Sequence, residues 1–167
     1  MDESPTDAQW ERWLDEHASK FLLFARQKAR SESDAQDLMQ ESIVEAARRH
    51  SGSAPPPLGL VFATIHRRAI DFGRREDRRS ARELASAEFS TIEWFDTSVE
   101  DRERAKLIQD AMIKLPEIYR EVVTLKVWGG LTFAEIAESL RIPANTAASR
   151  YRYGLEQLRK LTKEVLT

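Results

Sequence analysis

A chain of 167 residues, 41% hydrophobic and 32% charged, has the composition of a surface-rich globular protein, one domain or two small ones, and argues against a single large core. Its net charge of −2 excludes a uniformly basic coat, so any contact with nucleic acid must be confined to patches. The absence of cysteine excludes a disulfide frame, a thiol nucleophile and cysteine-ligated zinc; with no signal peptide and no apolar run near 18 residues, the expectation is a cytoplasmic protein with no membrane insertion.

Strand signals are scarce, because β-branched residues are scattered and apolar residues recur at spacings of three and four, so the chain reads as all-α. A first helix is expected over Asp7 to Arg30, with Trp10, Trp13, Leu14, Phe21, Leu22, Phe24 and Ala25 inward. A second is expected from Asp34, as its cap with Asp37 near the positive end of the dipole, to about His50. On it Asp37, Gln40, Glu41 and Val44 share one face. The run SGSAPPP at 51–57 then breaks the helix. A third is expected from Leu60 to about Leu84, with Ala63, Ile65, Ala69, Ile70 and Phe72 inward. Its Arg67, Arg68, Arg74, Arg75, Arg78, Arg79 and Arg82 outnumber Asp71, Glu76, Asp77 and Glu83. Two readings stand side by side: arginines paired with nearby acids on an exposed helix, or a basic surface for nucleic acid that His66 also touches.

From 85 to 103 the composition turns acidic, with Phe89, Ile92, Trp94 and Phe95 among the carboxylates, and is expected to be a tether between two helical domains. Helical spacing resumes near Arg104, stops at Pro116, and resumes through Tyr119 to Val127 before the Gly129-Gly130 break. Thr132 and Glu135 have the spacing of a capping box, and Leu131 and Ile136 that of a hydrophobic staple. Pro143 ends that short helix, and Asn145 is expected to cap a second with Ala147, Tyr151, Leu155 and Leu158 on its buried face. Two helices joined so tightly form a helix-turn-helix, whose second member is free to enter a major groove. Its outer face carries Asn145, Thr146, Ser149, Arg152, Tyr153 and Lys160, with Arg150 on the flank, and Glu156 is the only acid between Arg141 and Lys163.

Four runs in order resemble the extracytoplasmic-function (ECF, group 4) sigma factors of bacterial RNA polymerase, of the sigma-70 family. DAQDLMQE at 34–41 is similar to the DAxDLxQE-like run of region 2, and TIHRRAID at 64–71 to its aliphatic-Ala-Arg-Asn-x-Ala-Ile-Asp run. Leu115, Pro116, Arg120, Val122 and Leu125 match LPxxxRxVxxL of region 4, and GLTFAEIAESLRIPANTAASRYRYG matches the helix-turn-helix pattern that follows. The chain departs from these patterns at Arg67, where the family has Asn, at Arg141 for Gly, at Ala148 for Lys and at Tyr153 for Arg. The early tryptophan of helix three falls on Leu60, which leaves Phe62 as the nearby aromatic.

The resemblance implies two small helical domains, region 2 over 1–84 and region 4 over 104–167, joined by the acidic linker 85–103. It implies no enzymatic activity, no catalytic residues, no cofactor and no metal, in keeping with His17, His50 and His66, which have no ligand spacing. The implied partners are core RNA polymerase, through its β′ clamp helices and β flap, promoter DNA, and an anti-sigma factor. By resemblance, Asp37, Gln40, Glu41 and Val44 dock the clamp helices. Phe62, His66, Arg67, Arg68, Arg74, Arg75 and Arg78 serve the −10 element, with Phe62 and the 51–59 loop receiving an extruded base. Asn145, Thr146, Ser149, Arg150, Arg152 and Tyr153 serve the −35 element. The tether lies in the RNA path of the polymerase or is a solvated linker. Two rivals remain: a free-standing helix-turn-helix regulator that binds operator DNA without polymerase, and a helical interaction protein whose basic faces are incidental.

Overall fold

The computed structural model describes residues 5–50, 52–80 and 92–166, with side chains over 7–50, 52–73 and 92–163. Among the described residues there are seven α-helices and no strand, as the apolar spacing predicts. The helices fall into two units, which divide between Ile92 and Glu93.

The first unit is a three-helix bundle of α1 (Pro5–Lys28), α2 (Glu32–Arg49) and α3 (Leu58–Ser80), each packed on the other two. Its centre is aromatic: Phe21 and Phe24 of α1 hold Phe62 of α3 edge-on, at ring distances of 5.0 and 5.6 Å. Helix α2 contributes small buried residues, Ala35, Ser42 and Ala46, whose spacing of seven and four places them on one seam. Burying each phenylalanine contributes about 1.5–3 kcal/mol, so these rings dominate the unit. Leu14, Ile70 and Phe72, expected inward, are 36%, 42% and 43% exposed; of the inward positions expected on α3 Ile65 is buried, together with Val61, Phe62 and Thr64.

Helix α2 starts earlier than expected. Ser31, in extended conformation, accepts from the Asp34 amide at 3.0 Å, so Ser31 is the cap and Asp34 stands in the first turn. The hydroxyl of Ser31 reaches an otherwise orphaned amide, and Glu32 and Asp34 both lie at the positive end of the dipole. The turn from α1 is closed by Arg26, 8% exposed, which donates to both carboxylate oxygens of Glu32 at 2.9 and 2.7 Å. The Arg26 hydrogen bond holds the Glu32 carboxyl below the usual glutamate range. Trp10 Nε1 donates to the Ser53 carbonyl at 3.0 Å and ties the loop before α3 to α1. Helix α3 begins two residues before the expected Leu60, because the Pro57 carbonyl accepts from Leu60 and Val61. The expected end at Leu84 lies outside the described residues.

The second unit holds a 3-10 turn (Val99–Asp101), α4 (Arg102–Lys114), α5 (Glu117–Val127), α6 (Phe133–Leu140) and α7 (Ala144–Leu166). Met112, Leu115, Val122, Leu125, Leu131, Ile136 and Ala147 form its core, and α7 packs on α4, α5 and α6. Leu115 turns extended before Pro116, which ends α4. The carbonyls this leaves at the end of α4 are taken by Arg120, which donates to Met112, Ile113 and Leu115 at 2.9, 3.2 and 2.8 Å.

Residues 93–103 of the acidic stretch belong to this unit. Trp94 is 6% exposed, its amide donates to Gln109 Oε1 at 2.9 Å, and the Arg120 guanidinium lies 5.9 Å from its ring. Phe95 packs on Trp128 at 5.4 Å. The aromatic residues thus anchor the end of the acidic stretch, while its carboxylates Glu93, Asp96 and Glu100 stay exposed.

Candidate nucleic-acid interface

Helix α6 begins with the capping box expected of it. The Thr132 hydroxyl accepts from the Glu135 amide at 3.1 Å, and the Glu135 carboxylate accepts from the Thr132 amide at 3.0 Å. The helix ends at Arg141, whose φ of 57° is the one left-handed value at a non-glycine among the described residues. That conformation turns the chain sharply and costs an L-residue about 1–2 kcal/mol. Ile142 then donates back to the Ala137 carbonyl at 3.0 Å, and the Pro143 carbonyl accepts from Ala147. Pro143 therefore occupies the cap position of α7. Asn145, expected as that cap, stands in the first helical turn with its side chain exposed.

Ala147 and Gly154 are the buried points of α7. A Cβ on Gly154 would meet Val123 Cγ2 at 2.7 Å, so the missing side chain lets α7 lie directly on α5. The Tyr151 ring rests on Phe133 of α6 at 5.5 Å, which in turn lies under Lys126 Nζ at 4.6 Å. Held on two sides, α7 leaves Asn145, Ser149, Arg152 and Lys160 on its open face, with Thr146 and Arg150 half-buried beside them. Ser149 donates to the Thr146 carbonyl at 3.1 Å. Tyr153, 45% exposed, packs its ring on Tyr119 of α5 at 4.5 Å, on the flank of α7. Glu156 is drawn toward Lys160, at 3.8 Å.

The basic helix of the first unit differs more from expectation. Phe62 is 1% exposed between Phe21 and Phe24. It is a core residue, and a base has no access to its face; the sequence signal of a solitary aromatic near a loop did not show which way the ring points. Arg67 pairs with Glu45 of α2. Arg68 reaches Glu41 at 3.0 Å and Glu45 at 3.4 Å. The reading of arginines paired with nearby acids thus holds for Arg67 and Arg68, with partners on the neighbouring helix rather than their own. His66 is half-buried beside them, and the side chains of Arg74, Arg75 and Arg78 lie outside the described residues.

Asp37, Gln40, Glu41 and Val44 are all exposed on one face of α2, Val44 at 48%. Asp34, Asp37, Glu41 and Glu45 line a cleft of about 390 Å³ against Lys28, Arg67, Arg68 and Phe72. Glu45 was not among the expected site residues; Glu41 and Glu45 are one turn apart, but local spacing does not reveal that both face α3. No group of His, Asp or Glu among the described residues is placed to hold a metal, and no described helix is long and apolar enough to cross a membrane.

Residues 105–166 match the family model "Sigma-70, region 4". The RNA polymerase sigma factor SigV of Bacillus subtilis (strain 168) is 27% identical over 157 residues, covering 92% of each chain. The ECF RNA polymerase sigma factor SigK of Mycobacterium ulcerans (strain Agy99) is 29% identical over 133 residues, 77% of this chain and 70% of that protein. Among solved structures, the sigma factor RpoE of Bartonella quintana, crystallised with the anti-sigma factor NepR, has a TM-score of 0.70 over 94% of this chain and 97% of that one. At 16% identity that likeness bears on the fold alone. The ordered motifs, the region 4 match over residues 105–166 and the length over which SigV and SigK align agree: this chain is similar to the sigma-70 family, and within it to the extracytoplasmic-function group.

Proposed function

We propose that the chain binds core RNA polymerase and directs promoter recognition, promoter melting and transcription initiation, acting in the cytoplasm and not as an enzyme. The observation that carries this reading is α7, seated on α5 and α6 so that Asn145, Ser149 and Arg152 stand exposed on its open face. Arg and Asn can each make bidentate contacts to base edges, worth about 1–3 kcal/mol of discrimination. Arg150 and Thr146 flank this face and serve the −35 element with it.

Residues 1–84, within the first unit, serve the −10 element and the polymerase. The exposed face of Asp37, Gln40, Glu41 and Val44 docks the β′ clamp helices: three polar or acidic groups surround one aliphatic contact, which suits a basic helical partner. His66, Arg67, Arg68, Arg74, Arg75 and Arg78 hold promoter phosphates. An extruded base is received by the loop before α3, whose backbone Trp10 fixes, and not by Phe62. Residues 85–103 connect the promoter-reading units, the last part folded onto the second. The β flap of the polymerase and an anti-sigma factor are further partners.

The test is run-off transcription with purified core polymerase on a promoter library. Promoter-specific transcripts that need the chain support the proposal. A chain that neither binds core nor yields transcripts, yet shifts duplex operator DNA alone, is a free-standing regulator.

A further inference from the structure

Glu45 stands where one carboxylate meets two guanidinium groups. It pairs with Arg67, and its Oε1 lies 3.4 Å from Arg68 Nη2. Glu41, one turn earlier, takes the other end of Arg68 at 3.0 Å. The Glu45 side chain is 23% exposed, against 36% for Arg67 and 33% for Arg68. The carboxylate is therefore the most sheltered member of the cluster, while both arginines keep a solvent-facing side. Partial burial makes these pairs stronger than fully exposed ones without closing the arginines to a larger anion.

A carboxylate and a phosphodiester present similar paired oxygens to a guanidinium, so they compete for the same donors. We infer that Glu45 is an internal stand-in for promoter phosphate: in the free chain it occupies Arg67 and Arg68, and DNA must displace it. This rests on the assignment of α3 to the −10 element. The arrangement lowers the affinity of the free chain for any nucleic acid, and reserves engagement for the promoter held close by polymerase, where effective concentration is high. Glu41 links the two events. It belongs to the face assigned to the clamp helices, so docking that engages Glu41 leaves Arg68 held by Glu45 alone.

The probe is a fluorescent single-stranded DNA of random sequence, bound by the full free chain and followed by anisotropy across a salt series. Glu45→Gln is expected to bind about 3- to 10-fold tighter at low salt, with a slope of log affinity against log salt steeper by about 0.7 for each arginine released. Glu45→Asp, which keeps the charge but draws it back by one methylene, gives a smaller gain and stands in should the glutamine variant fail to fold. In a chain already carrying Arg67→Gln and Arg68→Gln, the Glu45 substitution is expected to gain nothing. Binding by Glu45→Gln that is no tighter overturns the inference. So does an equal gain from Glu16→Gln, a remote acid 72% exposed, or a gain that survives loss of both arginines. Run-off transcription by the unmodified chain separates the levels: transcripts without a Glu45 effect remove only the internal competitor, whereas no transcripts remove the promoter assignment and this inference with it.

Discussion

A methyl group on Gly154 would stand 2.7 Å from Val123 Cγ2, with Tyr119 Cβ at 3.6 Å. The close passage of α7 over α5 depends on that absence. Alanine normally stabilises a helix interior by about 1 kcal/mol relative to glycine. Here Gly154→Ala is expected to destabilise by about 1–3 kcal/mol, because overpacking outweighs propensity. Urea denaturation checks the sign, and duplex −35 binding by holoenzyme should fall as α7 shifts outward.

Arg120 gathers three carbonyls at the end of α4 and lies against Trp94. Burial lowers its pKa from the ordinary arginine value, with Glu117 and Glu121 opposing. A lysine cannot span the three acceptors from one point charge. Arg120→Lys is expected to cost about 2 kcal/mol, since carbonyls at the α4 end are left unpaired. The same variant should loosen Trp94, seen as increased acrylamide quenching of tryptophan fluorescence.

Arg141 holds a left-handed backbone, φ 57° and ψ 50°, that glycine adopts freely. Arg141→Gly is expected to raise the stability of the chain by about 1 kcal/mol. Thermal denaturation at constant pH measures it, and an unchanged or lower midpoint contradicts the assignment of strain to this turn.

The pair Arg26–Glu32 makes stability depend on pH. The folded Glu32 carboxyl is held low chiefly by its hydrogen bond from Arg26, so the unfolded chain takes up the proton first as pH falls. The contribution is fully present above the ordinary glutamate range and is lost as pH falls through the lower folded value. Glu32→Gln should therefore be less stable than the parent near pH 7, and the difference should vanish in acid. Because the Glu32 side chain is 42% exposed, screening keeps the effect small. Denaturant midpoints taken from pH 7 to pH 3 test the convergence.

Local chemistry was legible in the sequence where the partners are close neighbours along it. The Thr132–Glu135 box, the Gly129-Gly130 break with Gly130 at φ 69°, and the all-α spacing all carry their signals within a few residues. Ser31 displaced Asp34 as a cap because its hydroxyl lies one turn earlier and takes the Asp34 amide, whereas Pro143 precedes Asn145 because α7 already begins at Ala144, with only the Pro143 backbone carbonyl accepting from Ala147. What depends on which helices face one another was not legible. Phe62 could be read as a base platform because periodicity does not say that Phe21 and Phe24 enclose it. Trp94 read as part of an acidic tether because its anchors, Gln109 and Arg120, come from two later helices. Glu45 escaped notice for the same reason: its partners are more than twenty residues away on α3.

The most direct test of the central claim is run-off transcription with core polymerase, comparing the unmodified chain with Arg150→Ala/Arg152→Ala. The account predicts promoter-specific transcripts from the parent, and at least a tenfold loss from the double variant with core binding and thermal stability unchanged, about 1.4 kcal/mol or more of promoter contact. Equal transcript yields from both proteins would contradict the placement of α7 on promoter DNA.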